Sequence, residues 1–239
     1  MPDSVALRRR VPWLRLLAEF AAIFAGVSLS LLADDWRQYR ADRAQEVELL
    51  LGLQSDLVAD SADLVPVRRR GERWNQGAVR LRLRMESSEE LPPDSVYSYV
   101  EPVVWRNTYQ PVTSTYASLK AGGLMTLIRD VELRRLVSKY YEVDQPAAVA
   151  NYDVAIAAND NLRSYALWEV PLSDSLSRYF PITELRLTRD WAGITGNAGF
   201  KGSIFTLGTV GGDMANTFGR LLDKNAELRG AIDEALSAL

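Results

Sequence analysis

The chain has 239 residues, 47% hydrophobic and 25% charged, which leaves room for one membrane anchor plus one ordinary domain, or for two small ones. Its formal net charge of -3 supplies no overall basic field, so nucleic acid is not an expected partner for the bulk of the chain. Histidine and cysteine are both absent, which excludes zinc sites of the usual ligand types, cysteine nucleophiles, disulfides and imidazole-based triads. Carboxylate, lysine, serine or tyrosine chemistry remains, as does a carboxylate-bound magnesium or calcium ion, and no cofactor is expected.

Residues 1–10 form a basic tail ending in Arg8, Arg9 and Arg10, and residues 11–36 predict a transmembrane helix. At 1.5 Å per residue, Val11 to Ala33 spans roughly 34 Å, against a hydrocarbon core of about 30 Å. Trp13 at one end, with Trp36 and Tyr39 at the other, would place amphipathic rings at the two headgroup levels. The uncharged core runs only from Phe20 to Ala33, nearer the length of a signal-peptide core or a buried helix, so Arg15 and Glu19 decide the reading. Spaced by four, they can pair while Arg15 snorkels outward, lowering an insertion cost of about 2.5 to 3.5 kcal/mol for a lone central charge. A cleaved signal peptide and a soluble helix are the competing readings. Glu19 shares its helical face with Ala22, Gly26 and Ser30, whereas Phe20, Phe24, Val27 and Leu31 form a bulky stripe. Small residues at every fourth position allow close backbone approach, so this face is a candidate for self-association.

Helical spacing continues beyond Trp36 as a stalk over residues 37–65, with no breaker before Gly52 and too few clean heptads to assert a coiled coil. Pro66 predicts a break and opens a helical domain over residues 66–239. A basic patch follows at Arg68, Arg69, Arg70 and Arg73, with Arg80, Arg82 and Arg84 beyond it. It suits anionic headgroups or an acidic partner, or else forms a solvated face neutralised by Glu86, Glu89 and Glu90. Ser87 to Pro93 reads as a loop, Pro93 to Val100 as a short helix, and Glu101 to Pro111 as an extended connector. Thr113 to Lys120 reads as a helix stopped by Gly122 and Gly123. Asp130 opens a helix whose face carries Leu133, Leu136, Val137, Tyr140 and Tyr141, with Pro146 predicting an interruption before a helix over Ala147 to Trp168. Pro171 then leads into a loop-rich stretch to Gly202. Ser203 to Leu239 predicts a last helix, or a pair hinged at Gly211-Gly212. The fold expectation is all-α: a transmembrane helix continuing into a stalk helix, then a small helical bundle.

Three motifs weaken on inspection. Tyr116 and Lys120 have the spacing by which short-chain dehydrogenases lower a tyrosine pKa, but no glycine-rich strand-to-helix turn precedes them. Gly196, Gly199 and Gly202 match no phosphate-binding fingerprint and read as a flexible loop. The acids Asp34, Asp35, Asp42, Glu46 and Glu48 interleave with Arg37, Arg40 and Arg43, so solvated pairs explain them as well as a metal does.

Two blocks carry a family likeness. Glu19, Gly26 and Trp36, with Glu46, Leu50, Leu53, Asp56 and Leu57 behind them, form the first. Leu119, Gly122, Gly123, Leu124, Leu127, Ile128, Asp130, Leu133, Tyr140 and Tyr141 form the second. Together they resemble the uncharacterised bacterial membrane proteins of domain-of-unknown-function family 6090. The chain departs from that pattern at Asp34 and Asp35, where the family has asparagines, and at Ala18, where it has glycine. The resemblance implies a single-pass helical membrane protein with an uncleaved anchor, and it brings no activity with it.

Arg8, Arg9, Arg10 and Arg15 slightly outweigh Arg37, Arg40 and Arg43 across the predicted span. The bias places the N-terminus in the cytoplasm and the helical domain in the periplasm of a bacterial inner membrane. The function expected is a non-enzymatic interaction, sensing or scaffold module that binds the lipid bilayer, self-associates and meets a protein partner. The alternative is an oligomeric pore or transport accessory using Glu19 in the membrane. A carboxylate-dependent hydrolase is the third reading.

Overall fold

The structure, a computed structural model, describes residues 13–87, 93–165, 168–169, 186–187, 193 and 195–238. The basic tail, the Arg15 side chain and with it any pairing to Glu19, the loop acids Glu89 and Glu90, and most of the stretch after Pro171 lie outside the described residues. Most of those described are helical, and two two-residue strands are the only strands among them. The elements are α1 (Trp13–Glu86), α2 (Pro93–Val104), α3 (Ser114–Ala121), a 3-10 turn (Leu124–Leu127) and α4 (Val131–Lys139). A π-helical turn (Tyr140–Asp144), α5 (Gln145–Arg163), β1 (Trp168–Glu169), β2 (Arg186–Leu187) and α6 (Ala198–Ser237) complete the order. The strands pair antiparallel, Trp168 opposite Leu187 and Glu169 opposite Arg186, so the helix expected to reach Trp168 ends at Arg163.

The chain divides into two units, Met1–Glu48 and Leu49–Leu239. In the first, α1 carries an apolar stretch with mean hydropathy 2.0 over 18 residues, none of them buried. This helix is long and apolar enough to cross a membrane. Beyond it the interleaved charges do pair: Arg37 with Asp34 at 2.8 Å and Arg43 with Glu46 at 2.6 Å, while Arg40 lies 4.8 Å from the Trp36 ring centroid.

In the second unit, α1 turns one face inward in strict three-and-four spacing: Leu50, Leu53, Leu57, Asp60, Leu64, Val67, Gly71, Trp74, Ala78 and Leu81 are all buried. α6 repeats the pattern with Phe200, Ile204, Leu207, Gly211, Met214, Phe218, Leu221, Asn225, Leu228 and Ile232. Contacts between them run in opposite order along the two helices, from Gln54 with Asp233, through Leu57 with Asn225, to Asn75 with Gly208. The pair is therefore antiparallel. At their crossing a Cβ on Gly71 would stand 2.6 Å from the Gly211 carbonyl oxygen, and one on Gly211 2.8 Å from Trp74 Cβ. Glycine is required here by close approach.

Several expected interruptions do not occur. Pro66 lies inside α1, and it is exposed, as is Ala62 one turn back, whose carbonyl loses its partner and is left to water. Buried Leu64 and Val67 hold the helix on either side. The boundary expected at 65/66 is thus a continuous helix. α2 runs through Pro102, so the extended connector begins only after Val104. Pro146 is the second residue of α5, just past the π turn, where Gln145 N–H donates to the Tyr140 carbonyl five residues back; α4, the π turn and α5 run on without a gap. Gly211-Gly212 is no hinge, and Gly199 and Gly202 are no loop, since α6 starts at Ala198 with Asn197 capping Phe200 N–H at 3.0 Å. Expected starts and stops at α3 and α4 do occur. Gly122 is the C-cap of α3, Gly123 follows with a positive φ of 65°, and Asp130 accepts from Glu132 and Leu133 N–H.

Candidate functional site

Asp60 is the odd member of the α1 stripe, a carboxylate with 0% exposure between Leu57 and Leu64. One oxygen accepts from Tyr109 hydroxyl at 3.1 Å and Val112 N–H at 3.2 Å, the other from Tyr140 hydroxyl at 2.6 Å and Gln145 Nε2 at 3.1 Å. Two donors per oxygen fill its lone-pair sites, which is the condition for burying a carboxylate without a cation. Asn225 extends the network, donating to Leu57 carbonyl at 2.9 Å and to Tyr140 hydroxyl oxygen at 3.1 Å. Burial, then the charge of Asp60, pushes the Tyr109 and Tyr140 hydroxyls far up, so both stay protonated as donors.

One turn earlier, Asp56 caps α3 from outside that helix, accepting from Ser114 hydroxyl at 3.0 Å and Thr115 N–H at 2.7 Å.

The π turn distributes four consecutive or near-consecutive side chains to four partners. Tyr140 reaches Asp60, and Tyr141 stacks on Tyr116 with centroids 4.6 Å apart and planes 8° from parallel. Glu142 accepts from Tyr116 hydroxyl at 2.7 Å and Lys120 Nζ at 2.6 Å, and Asp144 pairs with Lys224. This geometry explains why the Tyr116-x-x-x-Lys120 spacing is not an activated tyrosine. Both residues donate to one carboxylate, and burial together with that bond raises Tyr116 to about 12, the reverse of what a tyrosine base requires. Lys120 first, then Tyr116, holds Glu142 below the usual carboxylate range.

Against the π turn lies an open cleft of about 360 Å³ lined by Pro111, Thr113, Tyr141, Gln145, Pro146, Val149, Ala150 and Asp153. Tyr141 is 5% exposed, and its hydroxyl is buried without a hydrogen-bond partner among the described residues. Burial first, then Asp56 and Asp60, drives its pKa upward.

The residues singled out from the sequence lie elsewhere. Trp13, Trp36 and Tyr39 are exposed, as are Glu19, Ala22, Gly26 and Ser30, and a Cβ on Gly26 would meet nothing within 4 Å. The four arginines of the basic patch sit in different surroundings. Arg68 pairs with Glu72 at 3.1 Å, while Arg70 is half-buried, bonded to Asn107 at 2.9 Å, and lowered in pKa by burial and then by Arg73. Arg69 and Arg73 are exposed one turn apart. Sequence reasoning missed Asp60, Gln145 and Asn225. The signal was present for Asp60, an acid spaced by three and four from leucines on an otherwise apolar face.

No protein-family model, no curated protein and no solved structure matches this chain.

Proposed function

We propose that the protein is a single-pass membrane-anchored helical module of the interaction, sensing or scaffold kind, built as an anchor, a stalk and a helical bundle, and self-associating through its anchor. One observation carries the reading. Leu16, Leu17, Phe20, Ile23, Phe24, Val27, Leu29, Leu31 and Leu32 are 48 to 69% exposed on one uninterrupted helix. Burying nine such side chains is worth on the order of 10 to 20 kcal/mol, and an apolar surface this large on a soluble monomer marks an interaction or membrane site. Lipid is the occupant that suits its length and its flanking Trp13, Trp36 and Tyr39. Arginine bias supports a cytoplasmic N-terminus in a bacterial inner membrane and a periplasmic bundle. Glu19, Ala22, Gly26 and Ser30 supply the small, acid-bearing face of the oligomer.

Alkaline carbonate extraction of bacterial membranes holding the full chain tests the anchor. Retention in the pellet is expected, and release into the supernatant overturns it. In detergent, Gly26→Leu should shift the sedimentation equilibrium toward monomer, and an unchanged distribution removes the proposed face.

A further inference from the structure

Within the second unit, α1 carries a line of side chains on the face away from the core: Ala62, Pro66, Arg69, Arg73, Gln76 and Arg80, all exposed. Steps of four and three keep the line within a narrow sector of the helix, opposite buried Leu64, Gly71 and Ala78. Its arginines differ from others on the same helix. Arg37, Arg43, Arg68 and Arg82 each pair with an acid three or four positions away. Arg69, Arg73 and Arg80 make no ion pair or hydrogen bond among the described residues. Glu72, the acid of α1 within four positions of them, is bonded to Arg68 at 3.1 Å, and Glu101 of α2 acts on Arg70. Arg73 has Arg69 and Arg70 one turn before it and Gln76 and Gly77 one turn after it, so no helix neighbour offsets its charge. Half-buried Arg70 responds to that charge, being held below its usual value first by burial and then by Arg73. Like charges four positions apart destabilise a helix, and glutamine at either position would remove the repulsion. Charge kept at an exposed site against the interest of the fold points to a use outside the fold.

We propose that this face of α1 docks an acidic helical segment of a partner protein, whose carboxylates lie along Arg69, Arg73 and Arg80. The inference rests on the interaction-module reading and names the chemistry of the partner; it does not depend on the anchor. Charge and shape together select the occupant. A guanidinium fork matches a carboxylate in a planar two-bond pair. From Arg69 to Arg80 is about 16 Å of helix, so the three do not converge on one small anion, and the interior of a helix offers no free backbone N–H to complete an anion site. A line one side chain wide suits a rod rather than a flat lipid surface, and a facing helix with the same three-and-four repeat sets its acids in a matching line. Ala62 and Pro66 before the arginines, and Leu83 after them at 57% exposure, add apolar contact at either end. A second copy presents the same positive line at this face and is repelled by it. Its exposed acids on α6, Asp223, Glu227 and Glu234, share their own line with Arg220.

The test titrates the full chain, in micelles of a neutral detergent, into a fluorescent alanine-glutamine peptide of about 22 residues, long enough to be helical. One version carries four glutamates in a line, at steps of four, three and four; the other has the same composition with the glutamates spread round the helix. Fluorescence anisotropy should show saturable binding of the first, weaker binding of the second, and about tenfold loss of affinity between low and high salt. Arg73→Gln should weaken the first peptide about two- to fivefold, and the triple variant Arg69→Gln, Arg73→Gln, Arg80→Gln by roughly tenfold or more. Neither variant should lower the melting temperature, since both remove repulsion. Absence of saturable binding, equal affinity for the two peptides, or unchanged affinity in the triple variant overturns the proposal. A lower melting temperature in Arg73→Gln also overturns it, because the arginines then serve the fold. Two further results reassign the face and overturn it equally. One is a shift of the wild-type oligomer toward monomer in the triple variant without peptide, which makes the occupant a second copy. The other is arginine-dependent clustering of phosphatidylglycerol vesicles by the chain reconstituted in phosphatidylcholine vesicles, which makes it lipid. Carbonate extraction tests the anchor and this titration tests the face, so either can fail without the other.

Discussion

Two glycine-to-alanine substitutions should move stability in opposite directions. In the middle of a helix alanine is favoured over glycine by roughly 0.5 to 1 kcal/mol, so the default expectation for either is a gain. Gly230 on α6 follows that default, since it is exposed and an added Cβ meets nothing within 4 Å. Gly71 on α1 does not. Its Cβ would lie 2.6 Å from the Gly211 carbonyl oxygen, 2.8 Å from Ala215 N and 3.1 Å from Ala215 Cβ. The first two are backbone atoms and cannot rotate aside, so the helices must separate by several tenths of an ångström. Separation loosens Trp74, Met214 and Phe218, all buried around the same crossing. Overpacking of this kind costs about 1 to 3 kcal/mol, and the backbone obstacle puts it near the upper end. After the propensity gain, Gly71→Ala should destabilise by about 2 kcal/mol, lowering the melting temperature by about 4 to 8 °C for a protein of this size. Gly230→Ala should raise it by about 1 to 4 °C. Helical circular dichroism of the full chain in detergent, followed against temperature and urea, measures both. If Gly71→Ala proves as stable as Gly230→Ala, the close antiparallel approach of α1 and α6 is refuted.

Asp60→Leu strands the Tyr109, Tyr140 and Gln145 donors and should cost about 3 to 5 kcal/mol of unfolding free energy measured in urea; a loss under about 1 kcal/mol would show that the network is not a stabilising latch. Tyr116, raised to about 12, stabilises the fold fully below its unfolded value near 10 and loses that contribution as pH rises to about 12. Phenolate absorbance of Tyr116→Phe should therefore lack one transition near pH 12. Glu142 has the opposite sign: its contribution is present above its ordinary value of 4.5 and disappears as pH falls through its depressed folded value. Glu142→Gln should flatten that acid-side decline, and an unchanged acid limb would count against the Lys120 and Tyr116 contacts.

Helices announced by apolar spacing and by local caps were legible in the sequence. Gly122 and Asp130 act through bonds to their own neighbours, so the sequence contains all that is needed to read them. Pro66, Pro146 and Gly211-Gly212 misled because their local preference is overruled from a distance. Buried leucine and valine on either side hold the first in helix, an extra residue per turn precedes the second, and the third meets the glycine of another helix. The long apolar helix could be read because length and hydropathy belong to one contiguous stretch. The Asp60 network could not be assembled in the same way, since its donors lie 49 to 85 positions away and share no pattern with it. Only the acid itself, standing in a leucine stripe, marks the place.

The antiparallel pairing of α1 with α6 also sets a timetable. Leu57 and Asn225 are 168 positions apart, yet their bond closes the core. At about 5 to 20 residues per second, roughly 10 to 30 s separate the synthesis of the two. For most of that interval the buried stripe of α1, from Leu50 to Leu81, has been made and its covering helix has not. The nascent chain must keep a leucine-rich face from aggregating until α6, Ala198–Ser237, arrives.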